Sequence, residues 1–141
     1  MTGPDHELVD AATAVIAERS DGFRHTVGAA VRDASGVIHT AVNVYHFTGG
    51  PCAELVVLGA ARAAGSTRLE AIVAVGDGGR GVISPCGRCR QVIADLHPAM
   101  QVVVPTDAGV AAVAAQDLLP FGYVAGPETA KERRGRRPDP E

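Results

Sequence analysis

The chain has 141 residues, 46 % of them hydrophobic, a formal charge of −3, two tyrosines, three phenylalanines and no tryptophan. That is the length of one domain, with enough apolar residues for a core without disulfides. The acidic balance argues against a nucleic-acid binder, the few aromatics against a base-stacking platform, and the lack of an apolar run of about 18–20 residues against a membrane span.

Met1 to Asp10 is polar and acidic and does not read as a secretory signal, so a cytoplasmic location is expected. Leu8, Ala11, Ala12, Val15 and Ile16 recur at helical spacing and predict a helix over 5–19. Val27 to Val31 reads as a buried strand, Asp33-Ala34-Ser35-Gly36 as a turn, and Val37 to Val44 as the returning strand of a hairpin. A loop over Tyr45 to Pro51 leads into a helix from Cys52 to Ala64, capped by Gly65. Leu69 to Val75 is a strand, Gly76 to Pro85 a glycine-rich loop, Cys86 to Leu96 a second helix stopped before Pro98, and Met100 to Pro105 a strand. Val110 to Leu119 stays open: its alanines favour helix, while Val110 to Ala114 suits an edge strand. Strands and helices in this order predict an α/β sandwich with a mixed sheet. Residues 1–125 form the expected domain. The end from Gly126 to Glu141 carries Lys131, Arg133, Arg134, Arg136 and Arg137 and reads as a disordered basic tail, with a tether to nucleic acid as the other reading of its charge.

Three cysteines is an odd number, which in a chain read as signal-free suggests thiolate chemistry in a reducing compartment. Pro51-Cys52-Ala53-Glu54 and Pro85-Cys86-Gly87-Arg88-Cys89-Arg90-Gln91 each open a predicted helix directly after a proline. A helix N-terminus has unpaired N–H groups and the positive end of the dipole, so it favours thiolate. Cys86 and Cys89, three apart, share a helix face and can share a metal; Cys52 would complete a three-ligand zinc set with one corner open, the catalytic arrangement. Glu54 lies two residues from Cys52, where it can reach along the open side and shuttle protons, as in the zinc-deaminase signature. Three thiolates on one Zn²⁺ need positive neighbours; Arg88 and Arg90 sit beside the ligands and can donate to the sulfurs, and at least one of them is expected to. The competing readings are a redox Cys-x-x-Cys pair and a closed structural zinc site with His46 as fourth ligand. His6, His25, His39 and His97 read most simply as surface or packing residues, although His25 could also line a pocket at the hairpin's end.

Pro-Cys-Ala-Glu followed by Pro-Cys-Gly-Arg-Cys-Arg-Gln resembles the cytidine deaminase superfamily in its three-cysteine branch. The runs Val42 to Gly59 and Arg80 to Val92, together with Leu118-Leu119-Pro120 and Gly122-Tyr123-Val124, are similar to the blasticidin-S deaminases within it. The likeness covers roughly residues 8–125. It implies a three-layer α/β/α sandwich on a five-stranded mixed sheet, a homotetramer with sites at subunit contacts, one zinc per chain, and hydrolytic deamination of the cytosine ring of a free nucleoside or nucleoside antibiotic. It implies Cys52, Cys86 and Cys89 as metal ligands, Glu54 as the catalytic group, and Thr26, Asn43, Tyr45 and Arg80 at the substrate. Cytidine deaminases read Asn-Val-Glu where this chain has Asn43-Val44-Tyr45, and the lost carboxylate would leave a ribose hydroxyl without its acceptor. Blasticidin S lacks those hydroxyls and bears a carboxylate that Arg80 could pair, so it is the first expected substrate, with cytidine or deoxycytidine of pyrimidine salvage second. Ala125 departs from the tryptophan that the blasticidin enzymes carry there. The expectation from a different class is a zinc-bearing nucleic-acid-binding module that uses the basic tail.

Overall fold

The computed structural model describes residues 3–124. Helix α1 runs over His6–Arg19, and Asp5 caps it by accepting from the Leu8 N–H at 3.0 Å. Strands β1 (Val27–Asp33) and β2 (Ile38–Val42) form the expected hairpin. Then follow α2 (Ala53–Ala63), β3 (Leu69–Gly76), β4 (Gly81–Ile83), α3 (Gly87–Leu96), β5 (Gln101–Thr106) and β6 (Gly109–Ala114), with a 3₁₀ turn over Ala115–Leu118. The open stretch is thus an edge strand followed by a short tight helix.

The sheet runs β2-β1-β3-β5-β6. The pair β3–β5 is parallel; β1–β2, β1–β3 and β5–β6 are antiparallel. Parallel neighbours need a crossover, and α3 lies on that connection. The five main strands match the expected number, but β4 adds a sixth by pairing with β3 inside the segment read as a glycine-rich loop.

Side chains alternate across the sheet and build two cores. Leu8, Ala12 and Ile16 of α1 pack with Ala30, Val73, Val75 and Val103 on one face. On the other face Ala29, Val31, Ile72, Val102 and Val104 pack with Val57 and Ala61 of α2 and Cys89 and Ile93 of α3. The result is the expected three-layer α/β/α sandwich. Among the described residues no helix is long and apolar enough to cross a membrane. Ala125 and the expected tail over 126–141 lie outside the described residues.

Candidate active site

Cys52 and Cys86 occupy the N-cap positions of α2 and α3, each with extended backbone (φ −65°, ψ 155° and φ −68°, ψ 169°). Neither side chain caps its helix, so both sulfurs are free to turn toward each other. Cys89 follows in the first turn of α3 and is fully buried. The three sulfurs lie within 4.8 Å of one another, and the Cys52 and Cys86 sulfurs are 3.6 Å apart. A tetrahedral zinc with bonds near 2.3 Å has a sulfur–sulfur edge of about 3.8 Å, so the spacing fits that ion. Among the described residues no other His, Cys, Asp or Glu joins this group. His46, the expected alternative ligand, sits in an exposed loop with its ring nitrogen on the Thr48 hydroxyl at 2.5 Å.

The electrostatics also ask for a cation. Burial, the neighbouring Glu54 and the adjacent thiols push the Cys89 thiol far above its ordinary value. Burial likewise raises Glu54, which is only 5 % exposed. At Cys86 burial works upward, but hydrogen bonds from the Cys89 backbone and from Cys52 outweigh it and lower the thiol. Three thiolates and a carboxylate this close cannot all ionise unless a positive ion joins them.

Arg88 reaches this cluster. It donates to the Cys52 sulfur at 3.5 Å and to the Gly50 carbonyl at 2.9 Å. Gly50 is required where it stands, because a Cβ there would overlap the Val44 carbonyl oxygen. Arg90, expected at a sulfur, instead ties the loop before Cys86 to the 3₁₀ turn: it donates to the Pro85 carbonyl at 2.9 Å, the Ser84 hydroxyl at 3.1 Å and the Leu118 carbonyl at 3.2 Å.

A cavity of 130 Å³ opens beside the sulfurs, lined by Val27, Asn43, Cys52, Ala53, Glu54, Ile83, Ser84 and Cys86. Asn43 comes from the end of β2. Its carboxamide oxygen accepts from the Thr26 and Val27 N–H groups at 2.7 and 3.0 Å, which turns its NH₂ toward the Thr26 hydroxyl, 3.5 Å away. Thr26 is therefore bound to a cavity wall without itself lining it. His25 holds the same wall from outside, its ring nitrogen 2.7 Å from the Asn43 carbonyl. Tyr45 is not in the lining; it is exposed, and its ring centroid lies 6.3 Å from that of Phe23. Arg80 is not in the lining either, and its guanidinium is engaged by Asp77 and by the Thr26 carbonyl. Sequence reasoning missed Ser84, Ile83 and Asp77; only the position of Ser84, two before Cys86, carried a signal.

The comparisons with known proteins agree with this geometry. Residues 3–106 match the family model for the cytidine and deoxycytidylate deaminase zinc-binding region. A blasticidin-S deaminase of Bacillus cereus is 34 % identical over 84 % of this chain and 91 % of its own length. A cytidine deaminase of Mycobacterium tuberculosis is 38 % identical over 71 % of this chain and 74 % of its own length. The crystal structure of a cytidine deaminase from Burkholderia pseudomallei superposes with a TM-score of 0.69 at 33 % identity, covering 85 % of this chain and 99 % of that one. The family match spans both segments that bring the sulfurs together, and the three cysteines could hold the zinc for which that region is named. By sequence and by fold alike, the chain belongs to the cytidine and deoxycytidylate deaminase family.

Proposed function

We propose that the chain hydrolytically deaminates the cytosine ring of a free nucleoside or nucleoside antibiotic, with blasticidin S as first substrate and cytidine or deoxycytidine as second. One observation carries this reading: a buried Glu54 shares a small cavity with Cys52, Cys86 and the Asn43 carboxamide. Cys52, Cys86 and Cys89 would hold a zinc ion, which would supply a Lewis acid able to let water ionise near neutral pH.

The chain's own groups do the rest. Glu54 takes a proton from the water that attacks C4, places it on ring N3, and later gives a proton to the departing ammonia. Its burial raises its affinity for that proton and suits it to both directions. The Asn43 NH₂, turned toward the Thr26 hydroxyl, orients the nucleoside. Arg88 offsets the negative charge on the Cys52 sulfur. Tyr45 and Arg80 line no part of this cavity.

The similarity to a blasticidin-S deaminase over most of both chains supports the antibiotic as first substrate; the similarity to cytidine deaminases supports the second. We further propose a homotetramer working in the cytoplasm, where its thiols stay reduced, and a catalytic domain over 1–125 followed by a dispensable tail. A panel of blasticidin S, cytidine, deoxycytidine and cytosine, read by ultraviolet loss of the cytosine chromophore, tests the reading. Turnover of at least one nucleoside, retained after deletion of 126–141, is expected. No turnover of any of them by zinc-loaded protein, or binding of an oligonucleotide that is lost with the tail, would overturn it in favour of a nucleic-acid module.

A further inference from the structure

We infer that Arg80 is a positioning residue that acts on substrate through Asn43, and not the partner of a substrate carboxylate; this rests on the function proposed above. The Thr26 backbone is gripped on both sides of its Cα. Its N–H donates to the Asn43 carboxamide oxygen at 2.7 Å. Its carbonyl accepts from Arg80 Nη2 and from the Asp77 N–H, both at 2.8 Å. Arg80 is in turn fixed by the Asp77 carboxylate at 3.0 Å, and the other oxygen of that carboxylate accepts from the Ser20 hydroxyl at 2.7 Å. The chain of contacts therefore runs from the end of α1 through Asp77 and Arg80 to the one cavity-lining amide.

Gly76 makes the arrangement possible. A Cβ at Gly76 would stand 2.7 Å from Arg80 Nε and 2.8 Å from its Cζ, so the arginine occupies the space that a side chain there would need. A guanidinium with a carboxylate partner, a carbonyl partner and a backbone bed has its geometry already determined before any ligand arrives. Glu54 and the three cysteines stand on α2 and α3 or at their N-caps, and none of the hydrogen bonds of this strut involves them. Loosening it should therefore weaken substrate binding and leave the chemical step alone.

Two substrates separate positioning from direct pairing, because blasticidin S carries a carboxylate and cytidine does not. Arg80→Ala is expected to raise KM roughly tenfold for both, with kcat nearly unchanged, as the loss of a charge-assisted hydrogen bond implies. Gly76→Ala, which keeps the arginine but displaces its guanidinium, is expected to do the same, and Arg80→Lys to recover part of the loss. Combining Arg80→Ala with Asn43→Ala should cost no more than Asn43→Ala alone. A loss confined to blasticidin S, or additive effects of Arg80→Ala and Asn43→Ala, would overturn the inference. Amide hydrogen exchange gives a readout that needs no turnover: exchange at Thr26 and Val27 should quicken in Arg80→Ala and in Gly76→Ala. Unchanged exchange there would defeat the strut even if every nucleoside proved inert.

Discussion

Glu54 is the residue whose role can be isolated most cleanly, because glutamine keeps its shape and removes its proton chemistry. Glu54→Gln is expected to lower kcat by about 10²–10⁴ while one zinc per chain is retained, checked by steady-state deamination beside elemental analysis. Arg88→Ala takes the donor away from the Cys52 sulfur and the Gly50 carbonyl. Zinc affinity should fall about 10–100-fold in chelator competition, the usual cost of losing an outer partner of a metal ligand. The meeting of the three sulfurs and the place of Glu54 beside them were legible in the sequence because both depend on spacing from two helix starts. Of the two arginines, Arg88 donates to a sulfur, as expected of at least one of them, and Arg90 does not. Residues two apart on a helix point about 200° away from each other, so Arg88 and Arg90 could not both face the sulfurs. Thr26, Tyr45 and Arg80 depended on which loops meet in space, and no local pattern carries that.

Among the elements, the helices and the long strands follow from periodicity, and β4 does not. It has three residues, Gly81 within it has φ 75°, and Gly78 and Gly79 before it have φ 61° and 76°. Such a stretch has no alternation to read, and its strand character comes only from pairing with β3. The far end of β1 shows how a single side chain joins elements. The Asp33 carboxylate accepts from the Ser35 hydroxyl at 2.6 Å and the Ser66 hydroxyl at 2.5 Å, and lies 3.0 Å from the His39 ring. These contacts hold it well below the usual carboxylate range. Its contribution to stability is complete above the unfolded aspartate value of about 3.9 and is lost as pH falls from there toward the lower folded value. Asp33→Asn should therefore melt below the wild-type chain at pH 7, and the gap between their Tm values should narrow as pH is taken below about 4. A gap independent of pH would show that the carboxylate's charge does not brace this corner.

At the scale of the whole molecule, the three layers and the β1–β2 hairpin were foreseeable and the other strand neighbours were not, since β1 meets β3 and β3 meets β5 through pairings distant in sequence. The surface carries an unusual load of aromatic area: Phe47 is 85 % exposed, Tyr123 73 % and Phe23 65 %, in a chain with only five aromatics. Surfaces of that kind are normally covered by another protein surface. The proposed tetramer is expected in sedimentation equilibrium at micromolar concentration, and Phe47→Ser should shift it toward smaller species. A monomer at all concentrations would leave those rings unexplained and remove the tetramer.

The thiol cluster has a mechanical consequence as well as a chemical one. Cys52 and Cys86 lie 34 positions apart, at the starts of two helices on the same side of the sheet. An ion between them would act as a rivet through one outer layer, while among the described residues α1 on the opposite side has no such fastening. A strong chelator should therefore unzip the protein lopsidedly, with amide protection falling first along α2 and α3 and persisting in α1 and the strands beneath it. Uniform loss of protection would mean that the ion secures the entire chain at once.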